Sequence, residues 1–527
     1  MSSLQKKIEA LAAAASVDKL SPEFLEIAAL IKGLEQDRKE LLDLEEWQTN
    51  PILSTDAYKA SHFEMYPEGT EYVYSYIESR GSDRKWKRHQ FFGLQAFKKR
   101  YLSKPITAAQ IDAAERIITN MGLPFNRAGW EYILTVHKGY LPLRIKAVAE
   151  GTVLNTRNVL VTVVNTDPKC FWLTNYIETA LLRAVWYPTT VATLSFHCKL
   201  AIARAFIKSS DADIRPLISD LSFKLHDFGG RGVSSSESAQ LGGMGHLINF
   251  RGTDTLEAVA AAERYYGATS PANSIPAAEH STVTSWGRTK ENLAYARMLE
   301  RFAKPGSVLA VVSDSYDLFN AVNKIWGEEL KQKVIDSGAT VVIRPDSGDP
   351  LTIPVEVVKA LAELYGYTVN SKGYKVLPAC IRVIQGDGIT EETLPIILEN
   401  LMAAGFSVDN IAFGMGGGLL QLVNRDTLKF AMKCSAISIG GIWYDVRKEP
   451  KTDPGKMSKK GRHALVLVED EGDAPGLRNY MTVPYQGHED LNQLRVVYED
   501  GAHFNDQDWS EIVEQGHNAV LAIVGLL

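Results

Sequence analysis

Residues 343–348 read Ile343-Arg344-Pro345-Asp346-Ser347-Gly348 and end a short apolar run. Val357, Leu361 and Leu364 follow at the spacing of one helix face. The order is a strand, a polar strand end and an amphipathic helix, which is the repeating unit of a parallel sheet covered by helices. This stretch therefore predicts an α/β fold.

The same unit recurs from about residue 220 to residue 435. Seven apolar runs end in polar or glycine-containing residues, about 26 to 41 residues apart. The predicted strand ends are 224–227, 251–254, 277–280, 311–314, 343–346, 384–387 and 412–416. Seven or more units of about 30 residues favour a closed barrel over an open sheet, and the loops after the strands of a barrel form its active-site face. We therefore expect a functional site at these strand ends.

The two flanking parts of the chain alternate apolar and polar residues instead. Leu143 to Ala147 alternates with a period of two, and Glu499-Asp500-Gly501 has the composition of a hairpin turn. Residues 1–46 carry a helical pattern, either packed on the body or serving as a partner-binding arm. The predicted parts are a helical extension at 1–46, an α/β sandwich domain from 47–165 and 440–527, and a barrel-like catalytic domain at 166–439.

Composition excludes several classes of protein. The 527 residues are 45% apolar and 23% charged, with 57 basic and 63 acidic residues and a net charge of −6, so no global footprint for nucleic acid is present. No uninterrupted apolar run reaches the roughly 20 residues that span a membrane. The four cysteines form no CxxC pair, which argues against a zinc site or a disulfide scaffold and predicts a cytoplasmic location.

Two features predict anion binding. Gly414-Met415-Gly416-Gly417-Gly418 follows a strand and leads to a helix predicted from Leu419, where backbone N–H groups can bind phosphate; a tight barrel turn is the alternative. Residues 447–462 carry seven basic side chains and form either a solvated loop or a clamp for polyphosphate. No GxxxxGK[ST] motif is present, which disfavours a P-loop nucleotide hydrolase.

Carboxylates and a histidine at the strand ends leave alternatives open. Asp346 and Asp387 adjoin glycines, so they either shape turns or hold Mg²⁺ on a phosphate substrate. His280 follows Glu279, but an acid adjacent in sequence does not by itself face the imidazole. A lone histidine is more often structural than catalytic.

Nine ordered motifs resemble nicotinamide phosphoribosyltransferases from about residue 50 to residue 510. They lie at residues 53–59, 224–229, 231–235, 252–255, 276–282, 313–317, 343–348, 384–388 and 416–421. The resemblance implies a type II phosphoribosyltransferase fold, with a (β/α) barrel-like domain and an α/β sandwich domain built from both chain ends. It implies transfer of a phosphoribosyl group from phosphoribosyl pyrophosphate to nicotinamide in NAD salvage, by a homodimer with shared active sites.

The resemblance also implies roles for individual residues. Phe228 of one chain and Tyr58 of the other are expected to stack on the pyridine ring, with Asp254 accepting the amide N–H and Arg344 beside the ring. His280 is expected to be phosphorylated by ATP, so that ATP stimulates synthesis. The expected catalytic residues are His280, Asp314 and Asp346.

The remaining residues implied by the resemblance bind the sugar and its phosphates, with Mg²⁺ on the pyrophosphate and no dedicated metal ligands. One chain is expected to contribute Arg231, Gly386, Asp387, Gly416 and Gly417. The second chain is expected to contribute Arg425, Lys433, Lys448 and Lys456. Two alternatives stay open, a nicotinate phosphoribosyltransferase of the same fold and a non-enzymatic signalling or binding protein.

Overall fold

The computed structural model describes residue 33 and residues 50–84, 86–452, 456–469 and 476–527. The predicted helical extension at 1–46 lies outside the described residues, apart from Gly33. The described strands are β1 (Thr70–Ser79), β2 (Arg88–Gln90), β3 (Leu143–Ala147), β4 (Val153–Asn155), β5 (Val159–Asn165), β6 (Leu225–Asp227), β7 (Gly252–Thr253), β8 (Val308–Val312), β9 (Thr340–Arg344), β10 (Thr368–Val369), β11 (Lys375–Val376), β12 (Ile381–Gln385), β13 (Ile411–Met415), β14 (Phe430–Ile439), β15 (Ile442–Asp445), β16 (His463–Val468), β17 (Asn479–Pro484), β18 (Arg495–Glu499) and β19 (Ala502–His503).

Helices cover both sheets and connect their strands. The described α-helices are α1 (Leu94–Tyr101), α2 (Ala108–Asn120), α3 (Arg127–Val136), α4 (Leu173–Tyr176), α5 (Glu178–Ser209), α6 (Ser236–Leu247), α7 (Leu256–Tyr266), α8 (His280–Thr284), α9 (Glu291–Phe302), α10 (Leu318–Asn320), α11 (Lys331–Ser337), α12 (Ile353–Tyr365), α13 (Thr393–Ala403), α14 (Gly417–Leu420) and α15 (Trp509–Ile523). Residues Ala321–Glu329 form a π-helix, and short 3₁₀ helices include Ala57–Glu64 and Gly230–Gly232.

The predicted barrel-like domain contains a six-stranded sheet in the order β7-β6-β13-β12-β9-β8, and every neighbouring pair is parallel. Six of the seven predicted strand ends are confirmed. The strand predicted to end at 277–280 is wrong, because Asn273 and Ala277 form only isolated bridges, to Gly252 and Ala310. Pro276 has no N–H to donate, so a continuous ladder cannot form here. The irregular segment 273–277 therefore contacts both edge strands in place of a seventh strand.

The second sheet is antiparallel and combines both ends of the described chain, in the order β15-β14-β1-β5-β3-β18-β19. The predicted strand at 143–147 is confirmed, and Glu499 pairs with Ala502 across the predicted hairpin turn. Asp500 and Gly501 both have positive φ, as the turn requires. Strand β14 pairs with β1, so the chain joins this sheet from Phe430 onward. That is ten residues before residue 440, where the second part of the sandwich domain is predicted to begin.

Helix α5 is the main internal support of the fold. Among the described residues it alone has the length and apolar composition that could cross a membrane. Most of its residues are buried, chiefly against α6 and β2, which is typical of a core helix in a globular protein. Polar side chains inside the packing are satisfied locally; for example, Thr189 Oγ1 donates to the Phe92 carbonyl at 3.0 Å.

Buried histidines predict a pH-dependent stability. His89 is 0% exposed, neither ring nitrogen has a hydrogen-bond partner, and burial lowers its pKa to about 3. The unfolded chain takes up this proton near the ordinary pKa of about 6.5, so stability is complete above that pH and is lost as pH falls towards the folded value. From pH 7.5 to pH 5, this residue alone should lower the free energy of unfolding by about 2 kcal/mol.

The measurement is urea unfolding at the two pH values for wild type and His89→Leu. The substitution should flatten the pH dependence of the free energy of unfolding by the contribution of one histidine. His488→Leu, at a partly exposed position, is the comparison and should change that dependence less. An identical pH dependence in His89→Leu and wild type would contradict the assignment.

Candidate active site

Polar side chains that follow three parallel strands meet in one cleft. Phe228 follows β6, Asp254 follows β7, and Arg344 with Asp346 lies at the end of β9. Together with Arg231 they line a cavity of about 270 Å³, to which Gly230 and Thr255 also contribute. The carboxyl ends of parallel strands lie at one edge of a sheet, which explains why residues distant in sequence converge here. The structure therefore has a cleft at the strand ends where the sequence predicts a functional site.

Phe228 forms an apolar wall of the cleft, and glycines make room for its ring. A Cβ added at Gly414 would lie 1.9 Å from Phe228 Cε2, and one at Gly386 would lie 3.5 Å from the same atom. The ring packs against the buried side chains of Ala310 and Val342. A flat ring held in this way offers a stacking surface to an aromatic ligand.

Asp254 supplies an exposed carboxylate beside this ring. Its Oδ1 accepts a hydrogen bond of 2.6 Å from Ser274 Oγ, and its backbone N–H donates to the Asp227 carbonyl at 3.0 Å. Asp227 itself is buried, and burial raises the pKa of its carboxyl group. Ser274 fixes one carboxylate oxygen of Asp254 and leaves the other available to a ligand donor.

His280 and Asp314 form a second group at the same edge of the sheet. His280 Nε2 lies 2.9 Å from Asp314 Oδ1, and the Asp314 side chain is only 5% exposed. Glu279, the neighbour in sequence, instead accepts from the Ser281 hydroxyl. A carboxylate that holds the proton on Nε2 leaves the Nδ1 lone pair available as a nucleophile.

Asp346 links the cleft to this histidine. Burial raises the pKa of its carboxyl group, Arg344 opposes that effect, and the nearby charges of Asp314, His280 and Asp387 also act on it. Arg344 Nη2 lies 3.4 Å from Asp346 Oδ2, while Arg344 Nε is buried without a hydrogen-bond partner. Buried donors are normally satisfied. An unsatisfied donor at the cleft is therefore typical of a ligand site.

The glycine run lies beside the Arg231 loop. Phe228 N donates to the Met415 carbonyl at 3.0 Å, and a Cβ added at Gly232 would lie 3.7 Å from Gly417 Cα. The helix predicted from Leu419 is only the single turn Gly417–Leu420, because the N–H groups of Gln421 and Leu422 both return to the Gly417 carbonyl. Any phosphate binding here depends on glycine backbone and Arg231 more than on a helix dipole.

The other predicted binding residues do not line the cleft of a single chain. Tyr58 is 58% exposed in the 3₁₀ helix Ala57–Glu64, with its ring beside His62. Burial lowers the pKa of Lys433, and nearby cationic side chains lower it further. Those cations are Arg80, Lys448 and Arg425. Lys456, further along the chain, is also exposed. The strand-end cleft, where Arg231 and Arg344 accompany Asp254 and Asp346, thus differs from the cationic surface around Lys433.

Sequence reasoning missed two side chains of this arrangement. Ser274 lies in the irregular segment before His280, and its proximity to Asp254 depends on the bridge between Gly252 and Asn273. Arg80 ends the first strand region and joins the cationic surface through the pairing of β1 with β14. Neither residue has a local motif; only the pairing of distant segments reveals it.

The described residues contain one group of three potential metal ligands with ligand atoms within 4.8 Å of one another. The group is His137, Asp167 and Cys170, which lies outside the cleft. Asp167 is already engaged, because it accepts from Tyr132 and Lys169 N and lies 2.9 Å from His137 Nε2. The cleft carboxylates form no such group in the part of the chain that is described.

Comparison with known proteins gives the family. A profile of the nicotinate phosphoribosyltransferase (NAPRTase) family matches residues 223–502, and a profile of the nicotinamide phosphoribosyltransferase N-terminal domain matches residues 50–145. A Xanthomonas campestris pv. campestris protein named nicotinamide phosphoribosyltransferase is 53% identical over 421 residues, covering 80% of this chain and 88% of that protein. The chain belongs to the nicotinamide phosphoribosyltransferase family. A family member from Acinetobacter baylyi is 34% identical over 489 residues, covering 86% of this chain and 94% of its own.

Solved structures confirm the fold expected for this nicotinamide phosphoribosyltransferase family member. Nicotinate-nucleotide pyrophosphorylase from Pyrococcus furiosus superposes with a TM-score of 0.57 at 16% identity, covering 91% of this chain and 97% of that one. Human nicotinic acid phosphoribosyltransferase gives a TM-score of 0.55 at 16% identity, covering 90% and 94%. The predicted type II phosphoribosyltransferase fold, a barrel-like parallel sheet with an antiparallel sheet domain, is therefore confirmed.

Gly414→Ala should damage the cleft directly. The new methyl group would overlap the Phe228 ring, so we expect the ring to move and the free energy of unfolding to fall by about 1 to 3 kcal/mol. Crystallography and thermal unfolding measure the two effects. Gly417→Ala is the control, since its Cβ would meet nothing nearer than 3.9 Å. An unmoved Phe228 ring in Gly414→Ala would show that the packing does not fix it.

Proposed function

We propose that this protein transfers the 5-phosphoribosyl group from phosphoribosyl pyrophosphate to nicotinamide, giving nicotinamide mononucleotide and pyrophosphate in NAD salvage. Relatives named nicotinamide phosphoribosyltransferase support the proposal. The observation that carries it is the Asp254 carboxylate beside the Phe228 ring in the strand-end cleft. An acidic acceptor next to a stacking surface suits a neutral aromatic amide, whose N–H₂ group donates hydrogen bonds.

In this proposal the pyridine ring stacks on Phe228, and the carboxamide N–H₂ donates to Asp254. Ser274 holds the carboxylate in orientation through its 2.6 Å hydrogen bond. Arg344, with its unpartnered Nε, orients the ring and the ribose. The ring nitrogen of nicotinamide then points towards the sugar carbon that it attacks.

The phosphoribosyl group is assigned to the remaining strand ends. Arg231 and the glycines Gly416 and Gly417 bind the 5′-phosphate through a charged side chain and backbone N–H groups. Gly386 lies beside the sugar in this proposal, and a Cβ there would lie 3.2 Å from Asp346 Oδ1 and 3.5 Å from Phe228 Cε2. Asp346 and Asp387 accept from ribose hydroxyls.

The same carboxylates suit Mg²⁺ carried by the substrate. The charges of Asp314 and Asp387 both act on Asp346, but the three carboxylates do not form a compact ligand group. Mg²⁺ prefers one or two carboxylates together with substrate phosphates and water. When bound, it would neutralise charge on the pyrophosphate leaving group.

The chemical step is displacement at C1 of the ribose. The pyridine nitrogen forms the new C–N bond while the C–O bond to pyrophosphate breaks and its electron pair leaves with the pyrophosphate. Positive charge develops on the sugar, close to the carboxylates of Asp346 and Asp387. The protein therefore acts mainly by positioning the reactants and by stabilising these charges.

We assign His280 as the acceptor of the ATP γ-phosphoryl group. Its Nδ1 would attack the γ-phosphorus, ADP would leave, and Asp314 would stabilise the proton on Nε2. A phosphorylated His280 would lie near the carboxylates that suit substrate-bound Mg²⁺, and its phosphoryl group would change the local charge around the substrate. Hydrolysis of that phosphohistidine would then favour synthesis.

A second copy of the chain would complete the site in this proposal. Tyr58 is exposed and offers the second stacking face for the pyridine ring. The cationic surface of Arg425, Lys433 and Lys448, extended by Lys456, would meet the phosphates from the partner. The four free cysteines support a reducing, cytoplasmic location for this homodimer.

Asp254 predicts a preference for the amide over the acid. Nicotinate places a carboxylate near Asp254, and two like charges about 4 Å apart repel by about 4 kcal/mol at an effective dielectric of 20, which is roughly a 10³-fold difference. Wild type should therefore make mononucleotide far faster from nicotinamide than from nicotinate, and Asp254→Asn should narrow the ratio of the two kcat/KM values.

Glu257→Gln is the matched control, because Glu257 is an exposed acid on the following helix and should leave the ratio unchanged. A wild-type preference for nicotinate would defeat the proposal and favour the nicotinate enzyme, whose family profile matches residues 223–502.

His280→Ala should abolish the stimulation of synthesis by ATP while a slower basal synthesis remains, because the cleft around Asp254 stays intact. Labelled γ-phosphate from ATP should appear on wild type as an acid-labile phosphoryl group and be absent from His280→Ala. His488→Ala, at a partly exposed histidine outside the strand-end cleft, is the control. Equal ATP stimulation in His280→Ala and wild type would exclude the phosphohistidine.

A further inference from the structure

A second polar cavity lies on the antiparallel sheet, away from the strand-end cleft. It has a volume of about 420 Å³. Aromatic and basic side chains line it, among them Tyr72, Trp443, Tyr485, Arg144, Lys146 and Arg462. No lining side chain among the described residues is acidic. The cavity is large enough for an organic ligand and far larger than a phosphate ion needs.

The basic groups are held in place by the aromatic rings. The Arg462 guanidinium lies 4.8 Å from the Trp443 ring centroid and 5.5 Å from that of Tyr485. Lys146 Nζ lies 5.4 Å from the Tyr485 centroid. Stacking of this kind fixes a guanidinium plane and leaves its edge N–H groups free to bind an anion. Neither Arg462 nor Lys146 forms an ion pair with a carboxylate of the described residues.

The local charge is unbalanced. Arg144 is paired with Glu499 at 2.5 Å. Lys146 has no such partner; burial and the neighbouring Arg144 lower its pKa, and the Glu499 charge offsets only part of that effect. His463 also lines the cavity, and its buried Nε2 has no hydrogen-bond partner. An anion in the cavity would offset the like charges and supply a polar neighbour for this part of the sheet.

The cavity is separate from the cationic surface around Lys433. Strand pairing aligns Lys146 with Thr162, Thr162 with Tyr76, and Tyr76 with Lys433. Three strand spacings of about 4.8 Å place Lys146 and Lys433 about 14 Å apart. Between them, the His463 ring makes an edge-to-face contact with the Tyr76 ring, at a centroid distance of 5.0 Å.

The basic segment 447–462 is thereby divided in two. Lys459 pairs with Glu78, whereas Arg462 turns into the aromatic cavity. Tyr72 and Trp443 stack with a centroid distance of 6.2 Å at one wall. We propose that this cavity is a second binding site, which takes a nucleotide-class ligand with its phosphate on Lys146 and Arg462 and its flat base against the aromatic rings.

The test uses the full chain with the proposed active site disabled by Arg231→Ala, Asp346→Ala and Lys433→Ala, so that nucleotide binding there does not interfere. Calorimetric titration with ADP should still detect one site per chain. Adding Lys146→Gln and Arg462→Gln should weaken that binding at least about tenfold, because charge-assisted hydrogen bonds to phosphate are lost. Lys460→Gln, an exposed lysine in the same loop, should have no effect.

Pyrophosphate and adenosine separate the contribution of the phosphate from that of the base. Each should bind more weakly than ADP. Tyr72→Leu, which leaves every charge in place, should weaken ADP and adenosine but not pyrophosphate. In the otherwise wild-type chain, Lys146→Gln with Arg462→Gln should leave basal synthesis unchanged. Three results would overturn the proposal. ADP binding could be absent when the cleft is disabled, or it could persist unchanged in folded protein that carries the Lys146→Gln and Arg462→Gln substitutions. Pyrophosphate could also bind as tightly as ADP.

Discussion

The Phe228 ring lies where any side chain at position 414 would collide with it. This close packing gives the cleft one covered aromatic face and leaves the other face open. Asp254, Arg344 and Asp346 are arranged around that ring because their strands end at the same edge of the sheet. The site therefore depends on one constraint. The parallel sheet brings the Phe228 ring, the carboxylates of Asp254 and Asp346 and the Arg344 guanidinium together beside Gly414.

The division of charge follows from the two sheets. The parallel sheet presents carboxylates and the His280–Asp314 pair, whereas the antiparallel sheet presents Lys433 with its cationic neighbours. A reaction that consumes one phosphorylated sugar and releases pyrophosphate needs both kinds of group. In the proposed dimer, a second copy would bring this cationic surface to the phosphates bound near Arg231.

Much of this arrangement was predictable from local pattern. Apolar runs with polar ends located six of the strands, and the polar ends located the cleft. The failures were tertiary. Pro276 interrupted a predicted strand, and the N–H groups of Gln421 and Leu422 closed the helix expected from Leu419 after one turn. Ser274, Arg80 and the separate environment of Arg462 depend on contacts between distant segments, for which the sequence has no local signal.

The proposed sharing of the site between two chains is tested most directly by complementation between two defective variants. Tyr58→Ala and Phe228→Ala should each be nearly inactive alone. After the two are mixed and allowed to exchange chains, half of the dimers should be mixed, and each should contain one intact site and one doubly altered site. Synthesis of nicotinamide mononucleotide should then return to about a quarter of the wild-type rate, by the symmetry of a two-fold dimer. A mixture in which mixed dimers form but activity stays at the level of the separate variants would contradict the account.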